Sequence, residues 1–86
     1  MLISSPSKIE IENIIKYFNN QNYIKAQNLA LKITKNFPNH PFGWKALGAI
    51  YSQTGNMQQA IFANLKSLRI NPSDGEAHSN LGNIYL

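Results

Sequence analysis

The chain repeats itself at an interval of 34 residues, and this period limits its possible folds more than any other property. Pro38 and Pro72 stand one period apart, as do Ala26 and Ala60, and the tyrosines at 17, 51 and 85. Leu47-Gly48 returns as Leu81-Gly82. Self-similarity at such a period is the mark of stacked supersecondary units, none of which buries its apolar face alone. A surface built by stacking, rather than a catalytic pocket, is therefore where function is expected.

Within that frame, 86 residues with 43% hydrophobic side chains suffice for one small packed domain, 1–86. The absence of cysteine removes disulfides and thiolate metal sites. Met1-Leu2-Ile3-Ser4-Ser5-Pro6 lacks a basic start and a long apolar run, so no signal peptide is expected. With no stretch near the roughly 20 apolar residues of a membrane span, a cytoplasmic chain that does not engage a membrane is expected. The net charge of +4 comes from Lys8, Lys16, Lys25, Lys32, Lys35, Lys45, Lys66 and Arg69 against four acids. These cations are spread along the helices without interleaved arginine and aromatic residues, so nucleic acid is not the expected partner.

Helix signals divide the chain into five segments. Ser7 and Glu10 form a candidate capping box, and Ile11, Ile14, Ile15 and Phe18 follow at helical spacing. Asn19-Asn20-Gln21-Asn22 reads as a tight turn. A second helix runs from Tyr23 to Lys35 on an apolar stripe of Ala26, Leu29, Ala30 and Ile33, until Phe37-Pro38 stops it. Pro41 suits the first turn of a third helix, which carries Trp44, Leu47, Ile50 and Tyr51 and ends at Gly55 as a left-handed cap. A fourth spans Met57 to Ile70 with Ala60, Ile61, Leu65 and Leu68, and Asn71-Pro72 closes it. Ser73-Asp74-Gly75-Glu76 reads as a second capping box opening a fifth helix with Ala77, Leu81, Ile84 and Tyr85.

Gly48 and Gly82 lie inside helices, where glycine costs about 1 kcal/mol relative to alanine. Their common phase implies a packing reason: each lets a neighbouring helix approach, with Ala26 and Ala60 as small residues opposite. Trp44, Leu47-Gly48, Tyr51, Ala60 and Pro72, at these spacings, resemble a tetratricopeptide repeat. The resemblance is close over 41–74, eroded over 7–40, and covers a first helix over 75–86 with His78 in place of the tryptophan. It implies an all-α, right-handed α-solenoid of antiparallel helix hairpins. Asn64 and Ser67 depart from the family pattern at phases that should face the next repeat. A buried Asn64 without partners would cost about 1–3 kcal/mol, so it is expected to be partly exposed or hydrogen-bonded.

No catalytic constellation emerges, and an enzyme is not expected. His40 reads as a turn residue and His78 as a packing residue between helices, with no second ligand at metal spacing, so neither metal nor cofactor is expected. Glu10 and Glu76 read as helix-start residues. No phosphate loop or dinucleotide fingerprint exists.

The resemblance implies instead a concave groove lined by the first helix of each hairpin, receiving a peptide or helix. By phase it would present Lys8, Ile11, Ile15, Phe18, Phe42, Lys45, Ala49, Ser52 and Gln53, and from the fifth helix Glu76, Ser79, Asn83 and Leu86. Ile11, Ile15 and Phe18 fit a core role equally well, whereas Phe42 and Lys45 are expected to be exposed. An apolar or amphipathic segment with some acidic character is the expected guest. The family's carboxylate clamp for chaperone tails is missing, because Ile11, Ile15, Ala46, Glu76 and Asn80 hold its phases. Starting one repeat later recovers Lys45 and Asn80 but leaves Ala49 where an asparagine is needed.

Two further surfaces stand out. Leu31 and Leu65 share a phase on the outer faces of the second helices, with Phe62 one turn from Leu65. Exposed apolar residues there read either as scattered surface hydrophobes or as a contact with another subunit or domain. The sequence stops inside its fifth helix, leaving Leu81, Ile84, Tyr85 and Leu86 without a partner helix. Either the protein continues, or these residues mediate homo-oligomer formation. The expected function is a protein–protein interaction scaffold. The alternative is an N-terminal accessory segment of a longer bacterial transferase-type enzyme.

Overall fold

The computed structural model describes the backbone of residues 5–85 and the side chains of residues 5–82. Five helices follow in order: α1 Lys8–Asn19, α2 Tyr23–Asn36, α3 Pro41–Gln53, α4 Met57–Ile70 and α5 Gly75–Tyr85. The described residues contain no strand. Each helix packs on the next, and α3 also touches α1 and α5, which makes it the central element.

The helix boundaries follow from side chains that satisfy the free backbone groups at each end. Ser7 Oγ accepts from the Glu10 N–H at 3.1 Å while the Glu10 carboxylate accepts from the Ser7 N–H at 2.9 Å, completing the expected box. Asn22 caps α2 through the Lys25 N–H, and His40 Nδ1 caps α3 by accepting from the Phe42 N–H at 3.2 Å. The start of α5 differs from expectation. Asp74 is the capping residue, accepting from the Glu76 and Ala77 N–H groups at 3.0 and 3.4 Å, and Ser73 instead meets Asn71. The Glu76 side chain is thereby free to reach Lys45.

The turns after α1 and α3 are the same motif one period apart. Asn22 N–H bonds the Tyr17 carbonyl and Asn56 N–H the Tyr51 carbonyl, both at 2.8 Å, closing a Schellman-type cap. Its pivot is left-handed: Gly55 at φ 81° in one copy and Gln21 at φ 61° in the other. A second echo joins ring to backbone. Trp44 Nε1 donates to the Pro38 carbonyl at 2.9 Å, and His78 Nε2 donates to the Pro72 carbonyl at 2.8 Å. His78 is therefore an exposed loop tether rather than the expected packing residue.

The core is built from isoleucines and alanines: Ile14, Ala26, Ala30, Ile33, Leu47, Ile50 and Ala63, flanked by half-buried aromatics such as Tyr17, Phe18 and Trp44. Leu65, expected on the apolar stripe of α4, faces outward. Its place against α3 is taken by Asn64 and Ser67, both wholly buried. Asn64 Nδ2 donates to the Ala60 carbonyl at 2.9 Å, its Oδ1 accepts from Asn80 Nδ2 at 3.5 Å, and Ser67 Oγ donates to the Pro41 carbonyl at 3.3 Å. Satisfied in this way, neither leaves a buried polar atom unpartnered, as expected for a buried amide.

Gly48 explains how an amide fits there. A Cβ at this position would overlap the Asn64 side chain, with Cγ and Nδ2 only 2.5 Å away. No described residue lies within 4 Å of the would-be Cβ of Gly82. Gly43, which the period does not mark, is the other close approach, with Ile33 Cγ2 and Thr34 Cγ2 at 2.9 Å.

Candidate functional site

The helix arrangement turns one side of α3 toward α1 and α5, and a cavity of about 490 Å³ opens between them. Helix α1 contributes Ile14, Ile15 and Phe18; α3 contributes Phe42, Lys45, Ala46, Ala49, Ile50, Ser52 and Gln53; α5 contributes Glu76 and Asn80. Eight residues expected in a groove by phase are thus brought together: Ile15, Phe18, Phe42, Lys45, Ala49, Ser52, Gln53 and Glu76.

The others are not. Lys8 is exposed at the start of α1, 3.9 Å from Glu12, and Ile11 is half-buried outside the cavity wall. Ser79 is exposed outside the wall, and Asn80 stands in its stead. The side chains of Asn83, Ile84, Tyr85 and Leu86 lie outside the described residues. Leu81 is buried, and Ala77, one turn before it, is sealed where α5 packs on α3 and α4.

Adjacent isoleucines settle the choice between core and groove for α1. Ile14 points into the core at 2% exposure, while Ile15 points into the cavity at 46%. Phe18 does both, meeting Tyr23 edge-on with centroids 5.5 Å apart while walling the cavity. Ile14, Ala46 and Ile50 form a floor that phase reasoning omitted, since each is one helical step from a residue it named. Asn80 had a visible signal: it lies one period after Ala46, on the same wall.

Charge at the rim departs from expectation. Lys45 is half-buried rather than free, with Nζ 3.1 Å from Asp74 Oδ2 and 3.9 Å from Glu76 Oε2. Burial by itself would raise the Asp74 carboxyl. The Lys45 hydrogen bond, the Ala77 N–H, the Lys45 charge and the Glu76 N–H outweigh it and hold the pKa below its ordinary 3.8. One cation facing two carboxylates leaves an excess of negative charge, concentrated on Glu76, whose side chain is 82% exposed. An acidic guest would find no unpaired lysine in this wall.

The described residues contain no group of three His, Cys, Asp or Glu side chains able to hold a metal ion. None of their helices is long and apolar enough to cross a membrane. Their chemistry is an apolar trough with amide, hydroxyl and carboxylate groups on its edge.

An all-helical chain of packed neighbouring helices with such a trough is the class that the fold defines. Among curated proteins it is similar to a UDP-N-acetylglucosamine–peptide N-acetylglucosaminyltransferase of Caenorhabditis elegans, with 29% identity over 83 residues. The match covers 96% of this chain and 7% of that relative. No family model matches the chain, and no solved structure matches it.

Proposed function

We propose that this chain is a non-catalytic interaction module of the tetratricopeptide type, whose stacked helix hairpins present the α1–α3–α5 trough to a peptide or helix. The observation that carries the reading is the convergence of Ile15, Phe18, Phe42 and Ala49 on one cavity of about 490 Å³ with a polar rim. The guest is an apolar or amphipathic segment whose cation meets Glu76, because Lys45 is already held by Asp74. Ser52, Gln53 and Asn80 are placed to bond its backbone.

Selection from a random peptide library tests this, with Ala49→Arg as a counter-target that fills the trough. Peptides carrying apolar residues and Lys or Arg should be enriched and should lose binding to Ala49→Arg. Enriched peptides that bind both proteins equally would sink the reading.

A second reading is favoured by the similarity to a peptide N-acetylglucosaminyltransferase: this chain is an accessory segment of a longer transferase-type enzyme. That relative is an animal protein rather than a bacterial one. Coding sequence continuing in frame beyond Leu86 into a transferase domain would decide for it. Self-association through α5 rests on less, since Leu81 is already buried within the chain.

A further inference from the structure

The four acids of this protein all lie on or beside α1 and α5, and each has a local role. Glu10 closes the capping box on Ser7, Glu12 meets Lys8, and Asp74 and Glu76 hold Lys45. Helices α2 and α4 contain no acid but carry Lys25, Lys32, Lys35, Lys66 and Arg69. Among the described residues none of these five cations forms an ion pair. The net positive charge of the chain therefore belongs to two helices, and the sequence total of +4 conceals this segregation.

The same two helices carry five of the seven exposed large apolar residues. Leu31-Lys32 with Lys35 recurs one period later as Leu65-Lys66 with Arg69. Spacings of three and four residues set Lys35 beside both Leu31 and Lys32, and Arg69 beside both Leu65 and Lys66. On α4 that face gains Phe62, and a depression of about 200 Å³ opens there, lined by Phe62, Leu65, Lys66 and Arg69. Its wall is fixed from below by Trp44. Phe62 meets the indole edge-on with centroids 6.2 Å apart, and Lys66 Nζ sits 5.3 Å above the ring.

We propose that the outward face of α4 docks an acidic amphipathic polypeptide segment. An apolar side chain of the guest enters the depression, and carboxylates on the same face of the guest meet Arg69 and Lys66. Charge complementarity selects this occupant. A second copy of the chain offers little free acidic charge, because Glu10, Glu12 and Asp74 each have a close local partner and only Glu76 is left largely exposed. Phosphodiester backbones would take the cations but leave Phe62 and Leu65 uncovered. Phe62 and Leu65 are 59% and 52% exposed, half-sunk between neighbours, whereas binding in a lipid interface buries an apolar face about 5–10 Å deep.

The test is an amide chemical-shift titration of the full chain with a fluorescein-labelled helical peptide of Leu and Glu at amphipathic spacing. Oligoglutamate of equal charge, a short DNA duplex and phosphatidylserine vesicles serve as competitors in parallel. The Leu/Glu peptide should shift resonances on α4 and leave Ile15, Phe18 and Ala49 in the trough unmoved. Phe62→Ser and Arg69→Gln should each weaken it about tenfold or more, and circular dichroism should show both variants folded, since both sites are exposed. Oligoglutamate, DNA and vesicles should all bind more weakly than the Leu/Glu peptide. No binding at millimolar peptide, shifts confined to the trough, or equal binding by oligoglutamate, DNA or vesicles would each overturn the proposal. Trough shifts alone would leave the α1–α3–α5 reading standing, so the two surfaces fail separately.

Discussion

Replacing Gly48 by alanine measures the helix approach on which the α3–α4 pairing depends. The added methyl would stand 2.5 Å from Asn64 Cγ and Nδ2, far inside van der Waals contact. Asn64 cannot swing aside cheaply, because it is wholly buried and bonded to the Ala60 carbonyl and to Asn80. Overpacking of this kind costs about 1–3 kcal/mol, and distorting a buried hydrogen bond adds about 1 kcal/mol. Alanine returns about 1 kcal/mol of helix propensity. The net expectation is a loss of about 1–3 kcal/mol, or a fall in Tm of roughly 5–20 °C for a domain of this size. Urea unfolding followed by far-UV circular dichroism reads it. Asn64→Ala in the same chain makes room for the methyl, so the double variant should be about 1–2 kcal/mol more stable than the two penalties summed. Gly82→Ala is the control: no described residue lies within 4 Å of its would-be Cβ, and propensity alone should raise stability by up to about 1 kcal/mol. Stabilisation by Gly48→Ala, or simple additivity with Asn64→Ala, would refute the packing argument.

Gln21→Gly should stabilise the chain by about 0.5–1 kcal/mol, because Gln21 holds φ 61° where the sister turn uses glycine, and Gly55→Ala should cost a similar amount in thermal melts. Asp74→Asn should be less stable than the parent at neutral pH. The folded-state pKa of Asp74 lies below 3.8, so its contribution is complete above that value and fades as pH falls through the lowered one; unfolding curves of parent and variant should converge in strong acid. Trp44→Phe keeps an aromatic ring against Phe62 but loses the bond to the exposed Pro38 carbonyl and part of the indole face under Lys66, so it should cost about 1 kcal/mol. Trp44→Ala, which also loses the packing, should cost about 2 kcal/mol or more by the same melts.

Much of the fold was legible because helix ends and turns are set by near neighbours. The Ser7–Glu10 box, the proline stops and the left-handed Gly55 each involve residues within one turn of chain. Most of the trough was legible too, since phase within a period fixes which way a helical side chain points. Its floor was missed because Ile14 and Ile15 look alike in sequence, and only the position of α2 and α3 tells which is covered. The rim charge was misread because Lys45 and Asp74 are distant in sequence and meet only when α5 returns beside α3.

The 34-residue period by itself determined that this chain forms repeated helices with recurrent turns, because those structures depend on local backbone geometry. It could not distinguish Gly48 from Gly82, which share a phase. Among the described residues, one meets Asn64 of a packed neighbour and the other meets nothing within 4 Å. Likewise, a count of charges gives +4, yet where those charges are neutralised depends on which helices lie side by side. Only the tertiary structure decided these points, because close contact and charge pairing are properties of two elements at once.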